Sequence, residues 1–152
     1  MKIFVSSLFL LFSLSLLNQE VVFHHPIQED EEIASPFGPR THLNSGEQRF
    51  HSGIDYLVPV GTKIFASTEG IIKFVGIKDF YGNMIIIEHP NSYQTYYCNL
   101  SKPLEGLSSG QKVKASELIG YSGKSGKAIT AGFHFEIRKD GNPIDPAKYL
   151  KE

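Results

Sequence analysis

Runs of β-branched and aromatic residues, each a few residues long and closed by Gly, Pro, Asn or Ser, leave this chain little room for anything but a sheet. They are Lys63 to Ala66, Gly70 to Gly76, Asn83 to His89, Tyr93 to Leu100, Leu118 to Tyr121 and Phe133 to Arg138. Such side chains fit a pleated, half-buried surface, and the residues between them supply turns. No stretch carries a convincing helical period. Lys112 to Ile119 comes nearest, and it serves equally well as a turn leading into a strand. No repeat of fixed length is visible. The expected fold class is all-β, an antiparallel sheet or sandwich.

A chain of 152 residues, 41% hydrophobic and 20% charged, is long enough for one domain with a real core. Its formal net charge of -1 argues against nucleic acid as a partner and against electrostatic capture by a membrane. The single cysteine, Cys98, excludes an internal disulfide. Strand alternation puts it on the face opposite Asn99, packed inward.

The start of the chain differs from the rest. Lys2 precedes the apolar run Ile3 to Leu17, which Gln19 and Glu20 end. A basic start and an apolar middle are the pattern of a secretory signal. The run is shorter than the roughly 20 residues a membrane span needs. No Ala-x-Ala site follows it, so residues 1–20 read as either a cleaved signal or an N-terminal anchor. Either places the protein outside the cytoplasm, in the periplasm, cell envelope or extracellular space. Membrane contact is expected only if the segment stays uncleaved. Residues 21–34 hold the acidic run Glu29-Asp30-Glu31-Glu32 and read as a solvated linker. The His24-His25 pair within them reads as part of a flexible polar segment rather than a metal site. The domain itself is expected over residues 35–150.

Two short motifs carry potential metal chemistry. In His51-Ser52-Gly53-Ile54-Asp55, Gly53 argues against a helix, so His51 and Asp55 belong to a loop entering a strand. An imidazole nitrogen with a carboxylate oxygen suits zinc. In Gly132-Phe133-His134-Phe135-Glu136, alternation puts Gly132, His134 and Glu136 on one face. Phe133, Phe135 and Ile137 take the other, which is a core face. Each motif alone is weak, since a lone His-x-x-x-Asp is common and a lone strand histidine is usually a surface residue.

Their context is not weak. Ser35-Pro36-Phe37-Gly38-Pro39-Arg40, then His51 to Asp55, then Pro59-Val60-Gly61-Thr62, follow one another in order. Tyr81-Gly82-Asn83, Ile85-Ile86-Ile87-Glu88-His89, Gly110-Gln111-Lys112-Val113 and Ile119-Gly120-Tyr121-Ser122-Gly123 come next. Phe135-Glu136-Ile137-Arg138, Gly141, Pro143, Asp145-Pro146 and Tyr149-Leu150 close the series. From about Ser35 to Leu150 the chain resembles the lysostaphin/LytM family of zinc peptidases, which cut peptide cross-links in bacterial cell walls. The resemblance implies the duplicated hybrid motif fold, an antiparallel β domain with a groove, and zinc held by His51, Asp55 and His134. Three protein ligands leave a fourth position open for water, the pattern of a catalytic zinc site.

The same resemblance exposes two departures. Where the family has His-x-His this chain has Gly132-Phe133-His134, and where it has Tyr-x-His-Leu this chain has Tyr97-Cys98-Asn99-Leu100. The two assisting histidines are therefore replaced by Asn99 and Gly132. Ala128-Ile129-Thr130-Ala131 also stands where the family has Ser-Thr-Gly-Pro. Loss of a general base typically costs about 10²–10⁴ in rate, and loss of one oxyanion donor about 10²–10³. Asn99 and Tyr97 are expected to touch a bound ligand, His42 is the first candidate for a rescuing base, and Glu136 is either a partner of His134 or a solvated surface carboxylate.

The first functional reading is an exported, zinc-binding domain that cuts weakly or not at all, and that holds peptidoglycan peptides or regulates a cell-wall hydrolase. The alternatives are an active zinc-dependent peptidoglycan endopeptidase and a structural zinc scaffold.

Overall fold

The computed structural model describes residues 20–27, 32–41, 45–128 and 130–151. The strands are β1 (Phe23–His24), β2 (Ile33–Ser35), β3 (Gly38–Thr41), β4 (Gln48–His51), β5 (Ile54–Tyr56), β6 (Lys63–Phe65) and β7 (Gly70–Lys78). They continue with β8 (Gly82–His89), β9 (Tyr93–Pro103), β10 (Lys112–Val113), β11 (Leu118–Ser122), β12 (Phe133–Lys139), β13 (Asn142–Ile144) and β14 (Leu150–Lys151). Only short 3-10 turns, at Pro90–Ser92 and Pro146–Lys148, interrupt them among the described residues. The expected all-β antiparallel class is what the molecule shows. Lys112 to Ile119 resolves as β10, a turn and the start of β11, without a helix.

One large sheet runs in the order β10-β7-β8-β9-β12-β5-β2, with β11, β6 and β13 attached to its side. The long pairings are antiparallel, β7–β8 and β8–β9 as consecutive strands joined by short turns and β9–β12 across an intervening excursion. The hairpin β3–β4 stands apart as its own two-stranded sheet. On one face of the large sheet lies the main core, built from Ile54, Tyr56, Ile85, Ile87, Tyr97, Leu100, Phe133, Phe135 and Ile137 among others. Met84, Ile86 and Cys98 form a smaller cluster with Phe74, Tyr81 and Tyr96 packed against it.

Cross-strand pairs settle which face each side chain takes, because directly opposed residues point the same way. On β9 and β12, Cys98 opposes His134 and Tyr96 opposes Glu136, while Tyr97 opposes Phe135. Cys98 is buried as expected, but it packs on the His134 face of the sheet rather than in the main core.

The stretch expected as a solvated linker is, where described, part of the domain. β1 pairs in parallel with β14, and Phe23 and Ile27 are core residues. Phe65 N–H donates to the Pro26 carbonyl at 2.8 Å and His24 N–H to that of Ser67 at 2.7 Å. β2 adds Ile33 to the edge of the large sheet. In the sequence, the charges of the acidic run mask the apolar residues Phe23, Ile27 and Ile33 on either side of it. Of the signal or anchor expected over residues 1–20, residues 1–19 lie outside the described ones, as do residues 29–31 of the acidic run.

Candidate metal centre and groove

Three strands deliver three side chains to one point. β12 pairs with β5 so that His134 directly opposes Asp55, which puts both on the same face. His51 ends β4, and the turn to β5 brings it over the same face. That turn passes so close to β12 that a Cβ at Gly53 would stand 2.2 Å from the Phe135 carbonyl oxygen, so only glycine fits there. His51 Nε2 lies 3.2 Å from His134 Nδ1 and 3.2 Å from Asp55 Oδ1, and His134 Nδ1 lies 2.7 Å from the same Asp55 oxygen.

The outer partners fix the tautomers. His51 Nδ1–H donates to the Pro36 carbonyl at 2.8 Å, leaving a lone pair on Nε2 of the neutral ring. His134 Nε2–H donates to Glu136 Oε1 at 3.1 Å, leaving a lone pair on Nδ1. With both rings neutral, two nitrogen lone pairs and a carboxylate oxygen would face one another, an arrangement that calls for a shared positive charge, a metal ion or a proton. Ligand atoms about 2.0–2.1 Å from a tetrahedral zinc lie about 3.3 Å apart, so the donor set and its spacing fit such an ion. With only a proton to share, burial pushes His134 down, but its hydrogen bonds to Asp55 and Glu136 outweigh this and raise it to about 9. Burial raises the Asp55 carboxyl, and the two histidines more than reverse that, holding it well below the usual carboxylate range.

Beneath the three lies a buried polar layer. Glu136 is fully buried and fully used. Oε1 accepts from His134, from Ser52 Oγ at 2.5 Å and from the Tyr81 hydroxyl at 3.0 Å, and Oε2 accepts from Arg138 Nε at 2.7 Å. Burial raises Glu136, but these donors, His134 first, bring it down to about 2. Of its two expected roles, Glu136 takes that of His134's partner. Arg138, two residues further along the same strand face, was within reach of the alternation argument. Ser52 and Tyr81 had no such signal, because their loops are placed only by the tertiary fold. Arg40 of β3 comes within 3.6 Å of the outer Asp55 oxygen.

A groove of about 660 Å³ runs over the centre. His51, Asp55, His134, Asn99, Gly132 and Arg40 are among its lining residues, and Phe50, Leu57 and Phe80 stand along it at 60–64% exposure. Asn99 lines the groove, yet both of its side-chain N–H groups are taken, by the carbonyls of Ser125 at 2.9 Å and Tyr81 at 3.3 Å. Gly132 presents no side chain, and a Cβ there would meet the Tyr56 carbonyl oxygen at 2.7 Å.

Tyr97, expected to share a face with Asn99 and reach a ligand, is instead fully buried in the main core. Its hydroxyl accepts from Ser67 N–H at 2.8 Å and from Thr95 Oγ1 at 3.0 Å. The alternation breaks because β9 carries a bulge. Leu100 pairs with Asn83 and Tyr97 with Ile85, so β9 has one residue too many between them. Asn99 sits in it with φ +60°. His42, the candidate rescuing base, lies outside the described residues.

Comparison with known proteins gives a consistent picture. The family described as "Peptidase family M23" matches residues 49–146. A DD-carboxypeptidase/endopeptidase, Mpg, from Neisseria meningitidis is 41% identical over 115 residues, covering 75% of this chain and 26% of that protein. The peptidoglycan DD-endopeptidase ShyA of Vibrio cholerae is 32% identical over 131 residues, covering 86% and 30%. Among solved structures, a zinc-containing peptidase from Vibrio cholerae superposes with a TM-score of 0.78 at 29% identity, covering 88% of this chain and 40% of that one. The chain thus spans between a quarter and a third of the length of these curated relatives.

Proposed function

This chain belongs to peptidase family M23, the lysostaphin/LytM type, and from that premise we propose that it is an exported, zinc-binding domain that holds peptidoglycan peptides without cutting them efficiently. His51, Asp55 and His134 would hold the zinc. When bound, the ion would supply a polarising charge to a carbonyl lying in the groove. Arg40 steadies the outer oxygen of Asp55, and Glu136 orients His134. The exposed apolar side chains Phe50, Leu57 and Phe80 offer contact surface along the groove.

The observation that carries the reading is what stands at the two assisting positions. A hydrolytic site needs a group to take a proton from water and one to stabilise the tetrahedral oxyanion. Asn99 takes no proton near neutral pH, and both of its N–H groups are already spent on carbonyls of its own chain. Gly132 has no side chain, and the backbone around it leaves no room for one. A ligand-holding or hydrolase-regulating role keeps the zinc donors and dispenses with both groups.

A second reading, an active endopeptidase, is favoured by the intact donor set and by relatives whose names are those of peptidases. The two are separated by incubating zinc-loaded protein with cross-linked peptidoglycan beside a His134→Ala control, with muropeptide analysis and a sacculus pull-down run together. Binding without new cleaved muropeptides is expected. Cleavage that disappears in the control would overturn the proposal in favour of the enzyme.

A further inference from the structure

Asn99 stands where the family resemblance places an assisting histidine, and its surroundings give it other work. The bulge in β9 puts it at φ +60°, a left-handed conformation that asparagine tolerates far better than most residues. Its own N–H donates to the Tyr81 carbonyl at 2.8 Å. Its side-chain amide donates to that carbonyl at 3.3 Å and to the Ser125 carbonyl at 2.9 Å. Ser125 is tied down again through its hydroxyl, which accepts from Asn83 N–H at 2.9 Å and donates to the Leu100 carbonyl at 2.6 Å. Asn99 therefore joins two segments that border the groove, the Tyr81 turn and the loop through Ser125.

The first of these leads to the metal centre. The Tyr81 hydroxyl donates to Glu136 Oε1, the same atom that accepts from His134. A hydrogen-bonded path runs from Asn99 through Tyr81 and Glu136 to His134. We propose that Asn99 is a positioning residue, a clamp that fixes the Tyr81 turn against the Ser125 loop and so keeps Glu136 and His134 in register for the metal. Histidine does not fill this role, because each ring nitrogen carries at most one N–H, whereas the carboxamide carries two on one atom. With both donors spent, the side chain offers the groove only its oxygen. It can accept from the N–H of a bound ligand, and it has nothing to donate to an oxyanion.

The metal arm of the test rests on the zinc reading above, and the other arm does not. In the full chain, labelled with ¹⁵N and ¹³C, the Asn99 side-chain amide is expected to show couplings across hydrogen bonds to the Tyr81 and Ser125 carbonyl carbons. Its exchange with water is expected to be slowed at least about tenfold against an unstructured asparagine. Free exchange without couplings would overturn the clamp, whether or not the protein binds zinc. For zinc itself, loss of a group bonded directly to a ligand, as Glu136 is to His134, typically weakens binding about 10–100-fold, and Asn99 acts through that group. Asn99→Ala, Asn99→Asp and Tyr81→Phe are each expected to lose at least about tenfold in competition with a chelator. Asn99→Asp preserves shape and turns both donors into acceptors. The Asn99→Ala/Tyr81→Phe pair is expected to lose no more than the worse single variant, since both act along one path. Unchanged zinc affinity in both Asn99 variants, or a fully additive pair, would overturn the proposal. A wild-type chain that binds no zinc would sink the functional reading and leave the amide couplings to judge the clamp.

Discussion

Glu136 Oε1 lies 3.1 Å from His134 Nε2, and no part of Glu136 is exposed to solvent. A fully buried carboxylate with four donors is a costly feature unless each donor remains in place. Glu136→Gln keeps the shape but turns one acceptor into a donor facing groups that already donate. It is expected to weaken zinc about 10–100-fold and to lower the melting temperature even without metal. Competition titration with a chelator and thermal unfolding check the two effects, and unchanged values in both would refute them.

The metal-free protein should respond to pH in a defined way. His134 is raised to about 9, against an ordinary 6.5. A raised histidine contributes stability that is fully present below its unfolded value and is lost as pH climbs through the folded one. Glu136 is lowered from 4.5 to about 2, so its contribution is present above 4.5 and lost as pH falls toward 2. Metal-free protein is therefore expected to be most stable near pH 5–6.5, declining on both sides in chemical unfolding.

The same shift fixes the proton balance of metal binding. Near pH 7.5 the metal-free site holds a proton on His134, and an incoming ion must displace it. Calorimetry in buffers of different ionisation enthalpy is expected to show close to one proton released per zinc, with affinity falling as pH is lowered. Zero release at pH 7.5 would mean that His134 is neutral before the metal arrives.

Putting histidine back at both altered positions should not rebuild an enzyme. Any side chain at 132 drives its Cβ against the Tyr56 carbonyl, and a ring at 99 gives up a donor that the carboxamide supplies. Asn99→His/Gly132→His is expected to gain less than about tenfold in muropeptide release over wild type, far short of the 10²–10⁴ that a working base contributes. Release in that higher range would show that the Tyr56 backbone yields readily.

Tyr97→Phe separates the core from the groove. Losing the hydroxyl leaves Ser67 N–H without its acceptor, which costs about 1–3 kcal/mol. A lower melting temperature with unchanged zinc and peptidoglycan binding is the expected pair of results. Weakened ligand binding at unchanged stability would return Tyr97 to the groove.

How much of this was legible beforehand varies by residue. The Phe133, Phe135 and Ile137 stripe was readable because a period of two survives intact along β12, and it correctly put His134 and Glu136 opposite the core. The period fails on β9, where the bulge turns Asn99 off the face it would share with Tyr97, and Tyr97 pairs with Phe135 in the core. A bulge leaves no mark in composition. Asn99 itself was the one hint, being a residue that tolerates left-handed backbone. The partners of Glu136 were half readable. Arg138 follows from alternation, whereas Ser52 and Tyr81 arrive from loops that only the assembled sheet brings near.

The hairpin that ends in His51 belongs to a sheet of its own, whereas Asp55 and His134 sit on neighbouring strands of the large sheet. An ion bound to all three would rivet the two sheets together, beside the Arg40–Asp55 ion pair and the Ser52–Glu136 hydrogen bond that already join them. The hairpin also carries Arg40 and Phe50, which form one bank of the groove. Under the proposed zinc reading, an ion on His51 would fasten the end of that bank, so that the set of the cleft as well as its charge would depend on the local supply of metal.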